Sequence, residues 1–265
     1  MSNNNYSALL DSVKAIAEQA GEKIMEIYGS AFEVATKQDN SPLTEADLAA
    51  HNHIVNSLAN IANYPILSEE SAQIPFSDRS KWETYWLVDP LDGTKEFIKR
   101  NGDFTVNIAL IDQHEPILGV VYVPVTKQLY FAAKGDGAFK QSPEQAARKI
   151  SVKKNASDNL VVAGSRSHIT EELKAYLDKL PPHELISIGS SLKLCLVAEG
   201  LADLYPRIGL TSEWDTGAAQ CVVEQAGGKV IDLKGNRLLY NTKESLLNPY
   251  FLVFGHNQYD WTEFV

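Results

Sequence analysis

Acidic side chains that follow apolar, strand-like segments are the residues of this chain best suited to chemistry. Asp89 and Asp92 stand within the segment Trp86–Phe97, after an apolar run that predicts a buried strand. Glu69 follows a second short apolar run, and Asp215 opens a predicted helix. Acids grouped in this way raise one another's pKa unless a cation compensates them. Because Mg²⁺ prefers oxygen ligands, the pattern predicts a magnesium site.

The residues that follow Asp92 add features of a phosphate site. Pro90 cannot donate a ladder hydrogen bond, so the strand is predicted to end at Asp89. Thr94 is predicted to cap a helix over Lys95–Lys99, whose free N–H groups attract anions. The Thr94 hydroxyl could also orient a reacting water or accept its proton. Asp-Pro and Asp-Gly pairs are ordinary turn residues as well, so this segment alone leaves a structural turn open.

Two further acids have structural interpretations of their own. Asp47 lies three residues after Thr44, which is the spacing of a helix capping box, yet the same carboxylate could reach a metal-bound water. Glu69 and Glu70 could form a solvated turn. If they continue a strand, adjacent side chains point to opposite faces, so at most one of them enters a given site.

Composition limits the classes of partner. The chain has 265 residues, 44% of them hydrophobic, and a formal net charge of −10, which argues against affinity for a nucleic-acid polymer. No signal peptide or membrane span is visible, and two cysteines without metal spacing fit a reducing compartment. We expect a cytoplasmic protein. Peripheral contact with the inner membrane and the oligomeric state are left open.

The order of predicted elements indicates an α/β protein with two parts. Residues 1–150 are predicted as an α+β subdomain, with amphipathic helices at 6–28 and after Thr44, followed by an antiparallel meander over 104–133. The polar stretch 141–157 is predicted to be irregular. Residues 151–265 repeat the order strand, glycine or serine, helix, which is typical of an α/β subdomain. Ligands of such sheets bind beyond the carboxyl ends of the strands, where segments 164–168 and 189–193 lie.

Three motifs taken in order resemble the inositol monophosphatase superfamily of Mg²⁺-dependent, lithium-sensitive phosphatases. They are SEES at 68–71, DPLDGT at 89–94, and WDTGA at 214–218 with Gly227-Gly228. Within that superfamily the chain is most similar to the 3′(2′),5′-bisphosphate nucleotidases. That similarity rests on NSPLTEAD at 40–47, the run 89–111, GSRSH at 164–168 and GSSLKLCLVAEGLADLYPR at 189–207. Gly217 departs from the alanine usual in the family, a small-for-small change.

The resemblance implies a fold and a set of residue roles. The fold is a layered αβαβα sandwich with the site between its halves, most metal ligands in the first half and the nucleotide contacts with Asp215 in the second. Two or three Mg²⁺ ions would be held by Glu69, Asp89, the Leu91 carbonyl, Asp92 and Asp215. The attacking water would be positioned and deprotonated by Asp47, Glu69 and Thr94. The substrate would contact Gly93, Thr94, His168, Ser190, Lys193, Arg207 and Asp215.

The implied activity is hydrolysis of the 3′-phosphate of adenosine 3′,5′-bisphosphate to AMP, extending to its 5′-phosphosulfate relative. The substrate would therefore be a small bisphosphonucleotide. The first alternative is a superfamily phosphatase acting on inositol monophosphate or a sugar phosphate. The second alternative, from another class, is a non-catalytic module that binds divalent ions.

Overall fold

The protein is described here from a computed structural model that covers residues 6–31, 33–36, 42–156, 158–164, 170–255 and 258–265. The α-helices of this part of the chain are α1 Ser7–Tyr28, α2 Glu45–Ile61, α3 Phe76–Arg79, α4 Thr94–Ile98, α5 Glu171–Lys179, α6 Leu192–Ala198 and α7 Gly217–Gln225. Short 3-10 helices span Glu69–Ser71 and Trp261–Phe264.

The first sheet has seven strands that follow one another in chain order. They are β3 Ile66–Ser68, β4 Thr84–Asp92, β5 Thr105–Asp112, β6 Glu115–Val123, β7 Gln128–Ala133, β8 Gly137–Gln141 and β9 Arg148–Ile150. Strands β3 and β4 are parallel, and every later neighbour is antiparallel. The predicted antiparallel meander is therefore confirmed. A separate two-stranded ribbon pairs β1 Val34–Thr36 with β2 Pro42–Thr44.

The second sheet has five strands in the order β11-β10-β12-β14-β13. They are β10 Leu160–Gly164, β11 His183–Ser187, β12 Leu204–Arg207, β13 Lys229–Asp232 and β14 Phe251–Phe254. The first three strands in that order are parallel, and β14 and β13 complete the sheet in antiparallel fashion. The chain passes from one sheet to the other between Ile150 and Leu160. The division into subdomains at this point stays a prediction.

The two sheets and the helices stack in five layers. Helices α1 and α2 pack on one face of the first sheet, with Trp86 and Val88 among the sheet residues in that core. Helices α6 and α7 lie between the sheets, against the opposite face that carries Tyr85 and Leu87. Helix α5 covers the outer face of the second sheet. Because side chains alternate along β4, its residues contribute to two separate cores. The layered αβαβα sandwich is confirmed.

A glycine sets how closely the central helices approach the first sheet. A Cβ atom on Gly119 in β6 would lie 2.2 Å from the carbonyl oxygen of Ala218 in α7. A backbone atom cannot yield at that distance, so only glycine allows α7 to sit on the sheet. This packing brings the residues just before α7, including Asp215, toward the end of β4.

Several predicted boundaries change in the structure. Strand β4 does not end at Asp89 but runs to Asp92, because the register shifts between these two residues and leaves Pro90 without a ladder partner. Within the stretch predicted to be irregular, Arg148–Ile150 forms β9. Helix α7 begins at Gly217 and not at Trp214, since a turn held by the Ser212 N–H and the Asp215 carboxylate precedes it.

None of the helices in the described ranges is both long and apolar enough to cross a bilayer.

Candidate active site

Three acids converge where the first sheet meets the central helices. A carboxylate oxygen from each of Asp89, Asp92 and Asp215 lies within 4.8 Å of the other two. Strand β4 supplies the first two from its irregular end, and the turn before α7 supplies the third. The structure therefore brings together acids that are more than 120 positions apart in the chain.

Burial and mutual repulsion raise the pKa values of the acids in this group, and the nearby cations offset these effects only in part. Burial, reinforced by the charges of Glu69, Asp92 and Asp215, raises the pKa of Asp89 well above its ordinary range. Burial also raises the pKa of Asp215 and raises that of Asp92 to about 6, although nearby Lys193 opposes the latter shift. A divalent cation would relieve this repulsion.

The donor set fits a hard cation. All side-chain donors of the group are carboxylate oxygens, which Mg²⁺ prefers over nitrogen or sulfur. Asp89 is buried, and its Oδ1 also accepts a hydrogen bond of 3.1 Å from the Leu91 N–H, so its orientation is fixed before an ion arrives. The carbonyl oxygen of Leu91 lies 3.4 Å from the Thr94 hydroxyl, at the same turn. These residues could hold a metal ion.

Asp47 connects the start of α2 to the acid group. Its Oδ2 accepts hydrogen bonds from the N–H and the hydroxyl of Thr44, at 2.8 Å and 2.6 Å, which confirms the predicted capping interaction. Its Oδ1 accepts a hydrogen bond of 3.2 Å from the Thr94 hydroxyl. One carboxylate oxygen thus secures the helix while the other contacts Thr94, so the capping and catalytic interpretations are compatible.

Thr94 does not cap the helix that follows it, contrary to the sequence prediction. Gly93 occupies the N-cap position with φ 95°, and Thr94 is the first residue of α4. Glycine adopts this left-handed conformation without strain. Its N-cap role releases the Thr94 hydroxyl from the helix, so the hydroxyl can turn toward Asp47 and the Leu91 carbonyl.

A polar cavity of ≈ 450 Å³ opens beside the acids. Its wall includes these predicted site residues: Glu69, Asp92, Gly93, Thr94, Ser190, Lys193, Arg207 and Asp215. Three further predicted site residues are buried and do not line the cavity: Asp47, Asp89 and Leu91. His168, the remaining predicted contact, lies outside the described residues.

Two cations of the cavity wall have intramolecular partners. The Lys193 ammonium donates to the Ser190 carbonyl at 2.5 Å, and burial lowers the pKa of this lysine to about 8. The Arg207 guanidinium donates to the Thr211 hydroxyl and to the Leu210 carbonyl. Both cations are therefore held in place at the cavity before a ligand binds.

The cavity wall contains residues that sequence reasoning did not assign. Tyr205 lies beneath Lys193, whose Nζ is 5.6 Å from the ring centroid, and its ring packs edge-on against Phe251. Leu210 and Trp214 add apolar surface, and Leu210 is 69% exposed. Lys95 adds a third cation at the wall. Its place directly after Thr94 was the one available signal, whereas the aromatic residues resemble ordinary core positions in the sequence.

A larger cavity of ≈ 630 Å³ lies at the outer edge of the second sheet, and none of the predicted site residues that the structure describes lines it. Its wall is formed by β13, Phe254, Arg237 and the aromatic residues Tyr259 and Trp261. The acid-lined cavity is therefore the candidate active site.

The layered fold, with buried acids beside a polar cavity, corresponds to a known class of protein. Residues 5–260 match the model of the inositol monophosphatase family, and the chain belongs to that family. The expected family resemblance is confirmed over nearly the whole chain.

Curated relatives place the chain near one branch of the family. It is 52% identical over 248 residues to the 3′(2′),5′-bisphosphate nucleotidase CysQ of Salmonella typhimurium, covering 92% of this chain and 99% of the relative. It is 38% identical over 255 residues to the CysQ nucleotidase of Haemophilus influenzae, covering 96% and 95%.

Solved structures agree with the observed fold. The crystal structure of CysQ from Bacteroides thetaiotaomicron superposes with a TM-score of 0.84 at 44% identity, covering 96% of this chain and 99% of that one. The inositol monophosphatase from Anabaena superposes with a TM-score of 0.79 at 26% identity, covering 98% and 96%.

Proposed function

We propose that this protein hydrolyses the 3′-phosphate of adenosine 3′,5′-bisphosphate to AMP and phosphate in a Mg²⁺-dependent reaction. The observation that carries the proposal is the group of Asp89, Asp92 and Asp215 beside a cavity whose wall also holds Lys193 and Arg207. Such a site combines acids that need a cation with cations that suit a second phosphate. The 5′-phosphosulfate relative of this nucleotide is a further proposed substrate.

The broader enzyme class is confirmed by the curated relatives. Proteins named 3′(2′),5′-bisphosphate nucleotidase share 52% identity with this chain along almost their entire length. This level of similarity makes the chain a phosphatase of the nucleotidase type and removes the interpretation of a non-catalytic ion-binding module.

The proposed metal ligands are Glu69, Asp89, the Leu91 carbonyl, Asp92 and Asp215. When bound, two or three Mg²⁺ ions would neutralise these acids, lower the pKa of water and stabilise negative charge on the leaving oxygen. The raised pKa values of the buried acids support this assignment, because a cation restores their charged form.

Asp47 and Thr94 are the proposed proton acceptors for the attacking water. The Thr94 hydroxyl donates to Asp47 Oδ1, which leaves the lone pairs of its own oxygen to accept a hydrogen bond from water. A proton taken from that water can pass through Thr94 to the Asp47 carboxylate. Glu69, on the cavity wall, would orient the same water. This arrangement is general base catalysis through a hydroxyl relay.

The proposed reaction is an in-line displacement at phosphorus. The water oxygen forms a bond to phosphorus while the bond from phosphorus to the 3′ oxygen breaks. One water proton moves to Asp47 through Thr94, and the leaving 3′ oxygen takes a proton from solvent. The N–H groups of Gly93 and Thr94 would hold the scissile phosphate during this exchange.

Substrate recognition is assigned to the second half of the chain. Lys193 and Arg207 would contact the phosphate that is not cleaved, and Ser190 and His168 would contact the rest of the nucleotide. The fixed positions of Lys193 and Arg207 support this assignment, because a preorganised cation loses little freedom when the anion binds.

Initial rates on two substrates test the proposal. With Mg²⁺ present, adenosine 3′,5′-bisphosphate should be hydrolysed faster than inositol 1-phosphate, and a chelator should abolish both rates. Faster turnover of inositol 1-phosphate would instead assign the site to the other substrate class of the family.

A further inference from the structure

A buried polar network lies directly behind the acid group. Thr105 and Asn107 project from β5 into the central layer, where the next inward positions of the strand are the apolar Ala109 and Ile111. Ser191 reaches the same place from the residue preceding α6. All three polar residues are at most 2% exposed.

The network closes on itself. The Ser191 hydroxyl donates to Asn107 Oδ1 at 2.8 Å, and the Thr105 hydroxyl lies 2.9 Å from the Ser191 hydroxyl and 3.3 Å from the same amide oxygen. Buried hydroxyl and amide groups are costly unless they are hydrogen-bonded. Apolar residues would fill this part of the core at lower cost, so the polar choice points to a role beyond packing.

The network supplies two hydrogen-bond donors to a single carboxylate oxygen of Asp92. Asp92 Oδ2 accepts a hydrogen bond of 2.6 Å from the Ser191 N–H and one of 3.4 Å from the Asn107 amide. Among the described residues, no hydrogen bond reaches Asp92 Oδ1. The donors thus hold one oxygen of the carboxylate and orient the other, while both lower the pKa of Asp92.

The same residues connect the first sheet to the segment before α6 at the site. Asn107 belongs to the first sheet, and Ser191 lies between Ser190 and Lys193 in the segment that borders the cavity. A shift of this segment would move a donor of Asp92. The proposed nucleotide-contacting and metal-binding residues are therefore joined in two ways, directly by the Ser191 N–H and through the Asn107 side chain, which contacts both Ser191 and Asp92.

We propose that Asn107, supported by Thr105 and Ser191, is a positioning residue that fixes Asp92 for metal binding and ties it to the 189–193 segment. The proposal rests on the metal-dependent phosphatase function stated above. Groups that hydrogen-bond to a metal ligand typically contribute about 10–100-fold to metal affinity or activity. Removing the Asn107 amide should therefore weaken Mg²⁺ binding about tenfold or more.

The primary test measures Mg²⁺ binding by titration calorimetry, without substrate. Asn107→Ala should raise the Kd for Mg²⁺ by about tenfold. Gln220→Ala is the matched control, because Gln220 is an equally buried amide of the central layer whose side chain bonds Tyr240, the Leu238 carbonyl and Glu224, none of which belongs to the acid group. It should lower the melting temperature and leave the Kd unchanged.

A second pair of variants keeps the test decisive if Asn107→Ala does not fold. Thr105→Val removes the hydroxyl at constant shape, and Thr105→Ser retains it. We expect weaker Mg²⁺ binding in the valine variant and recovery in the serine variant. An unchanged Kd in folded Asn107→Ala would overturn the proposal, and if that variant does not fold, an unchanged Kd in Thr105→Val would overturn it.

The nucleotide readout separates this inference from the proposed function. If the wild-type protein binds Mg²⁺ but hydrolyses no bisphosphonucleotide, the proposed function fails and the calorimetric comparison still decides the role of Asn107. If the wild type is active, Asn107→Ala should raise both the Mg²⁺ concentration for half-maximal rate and the KM for the nucleotide. A lower kcat with both of these constants unchanged would contradict the positioning role.

Discussion

Neutralising one acid of the candidate metal site should stabilise the metal-free protein while it removes activity. Asp92→Asn is the best change, because the asparagine amide oxygen can still accept the hydrogen bond that the Ser191 N–H gives to Asp92. The replacement keeps the shape of the side chain and removes its charge. In the absence of a cation, that charge is unfavourable for folding.

The size of the effect follows from the pKa of Asp92. Burial raises this pKa from the ordinary 3.8 to about 6. At neutral pH the ionised side chain therefore costs about 3 kcal/mol relative to the unfolded chain, since a tenfold change in a proton equilibrium is worth ~1.4 kcal/mol. Asp92 is partly exposed and solvent screens some of this cost, so we expect a gain of about 2 kcal/mol. That gain corresponds to a rise in Tm of roughly 4–8 °C.

Thermal unfolding at pH 7.5 in a chelator measures this gain. The matched control is Asp203→Asn, because Asp203 is a buried aspartate whose charge is compensated by Lys153 at 2.8 Å and by the Val161 N–H. Neutralising Asp203 should lower the Tm, since it leaves a partly buried cation without its partner. Changes in Tm of opposite sign for the two variants would distinguish an aspartate whose charge is uncompensated from one whose charge is compensated.

Saturating Mg²⁺ should reverse the order for Asp92→Asn, because the wild type gains binding energy that the variant loses. A lower Tm for Asp92→Asn than for the wild type in chelator would contradict the expected stabilisation. It would mean that the acids are not in electrostatic conflict and that no cation is needed to compensate them.

Three further outcomes follow from the geometry. Thr94→Val should lower kcat about 10²-fold or more while the Kd for Mg²⁺ stays within twofold, because it breaks the hydroxyl relay to Asp47 and leaves the acid group intact; an unchanged kcat would exclude the relay. Lys193→Ala should raise the KM for the bisphosphonucleotide more than it slows turnover of a small phosphate ester, and equal losses on both substrates would remove Lys193 from nucleotide recognition. Without metal, the free energy of unfolding should fall as pH rises from about 4 to about 6, because folded Asp92 keeps a proton that the unfolded chain has lost. Stabilisation by Mg²⁺ should therefore be larger at pH 7.5 than at pH 5. Equal stabilisation at both pH values would contradict the assigned pKa.

The acid group was predictable because its members have local signals. Asp89 and Asp92 follow an apolar strand, and Asp215 stands at the start of a predicted helix. An α/β arrangement places such residues at one edge of the sheet. The layered architecture came from the family resemblance, since periodicity alone predicts elements but not their stacking.

The positions that sequence reasoning missed depend on contacts that are distant in the chain. Strand β4 continues past Pro90 because the register with β5 shifts, which no residue of β4 reveals by itself. Asn107 occupies an inward strand position, and its partner Ser191 lies 84 residues away. A polar residue at such a position acquires its meaning only when the two sheets are brought together.

We propose that the buried acids form a metal site for hydrolysis of a bisphosphonucleotide. Release of inorganic phosphate from adenosine 3′,5′-bisphosphate, measured with Mg²⁺ on the wild type and on Asp89→Asn, tests it most directly. We expect Mg²⁺-dependent formation of AMP and phosphate by the wild type and loss of this activity in a variant that remains folded. Activity that persists in folded Asp89→Asn, or wild-type activity that is unaffected by a chelator, would contradict it.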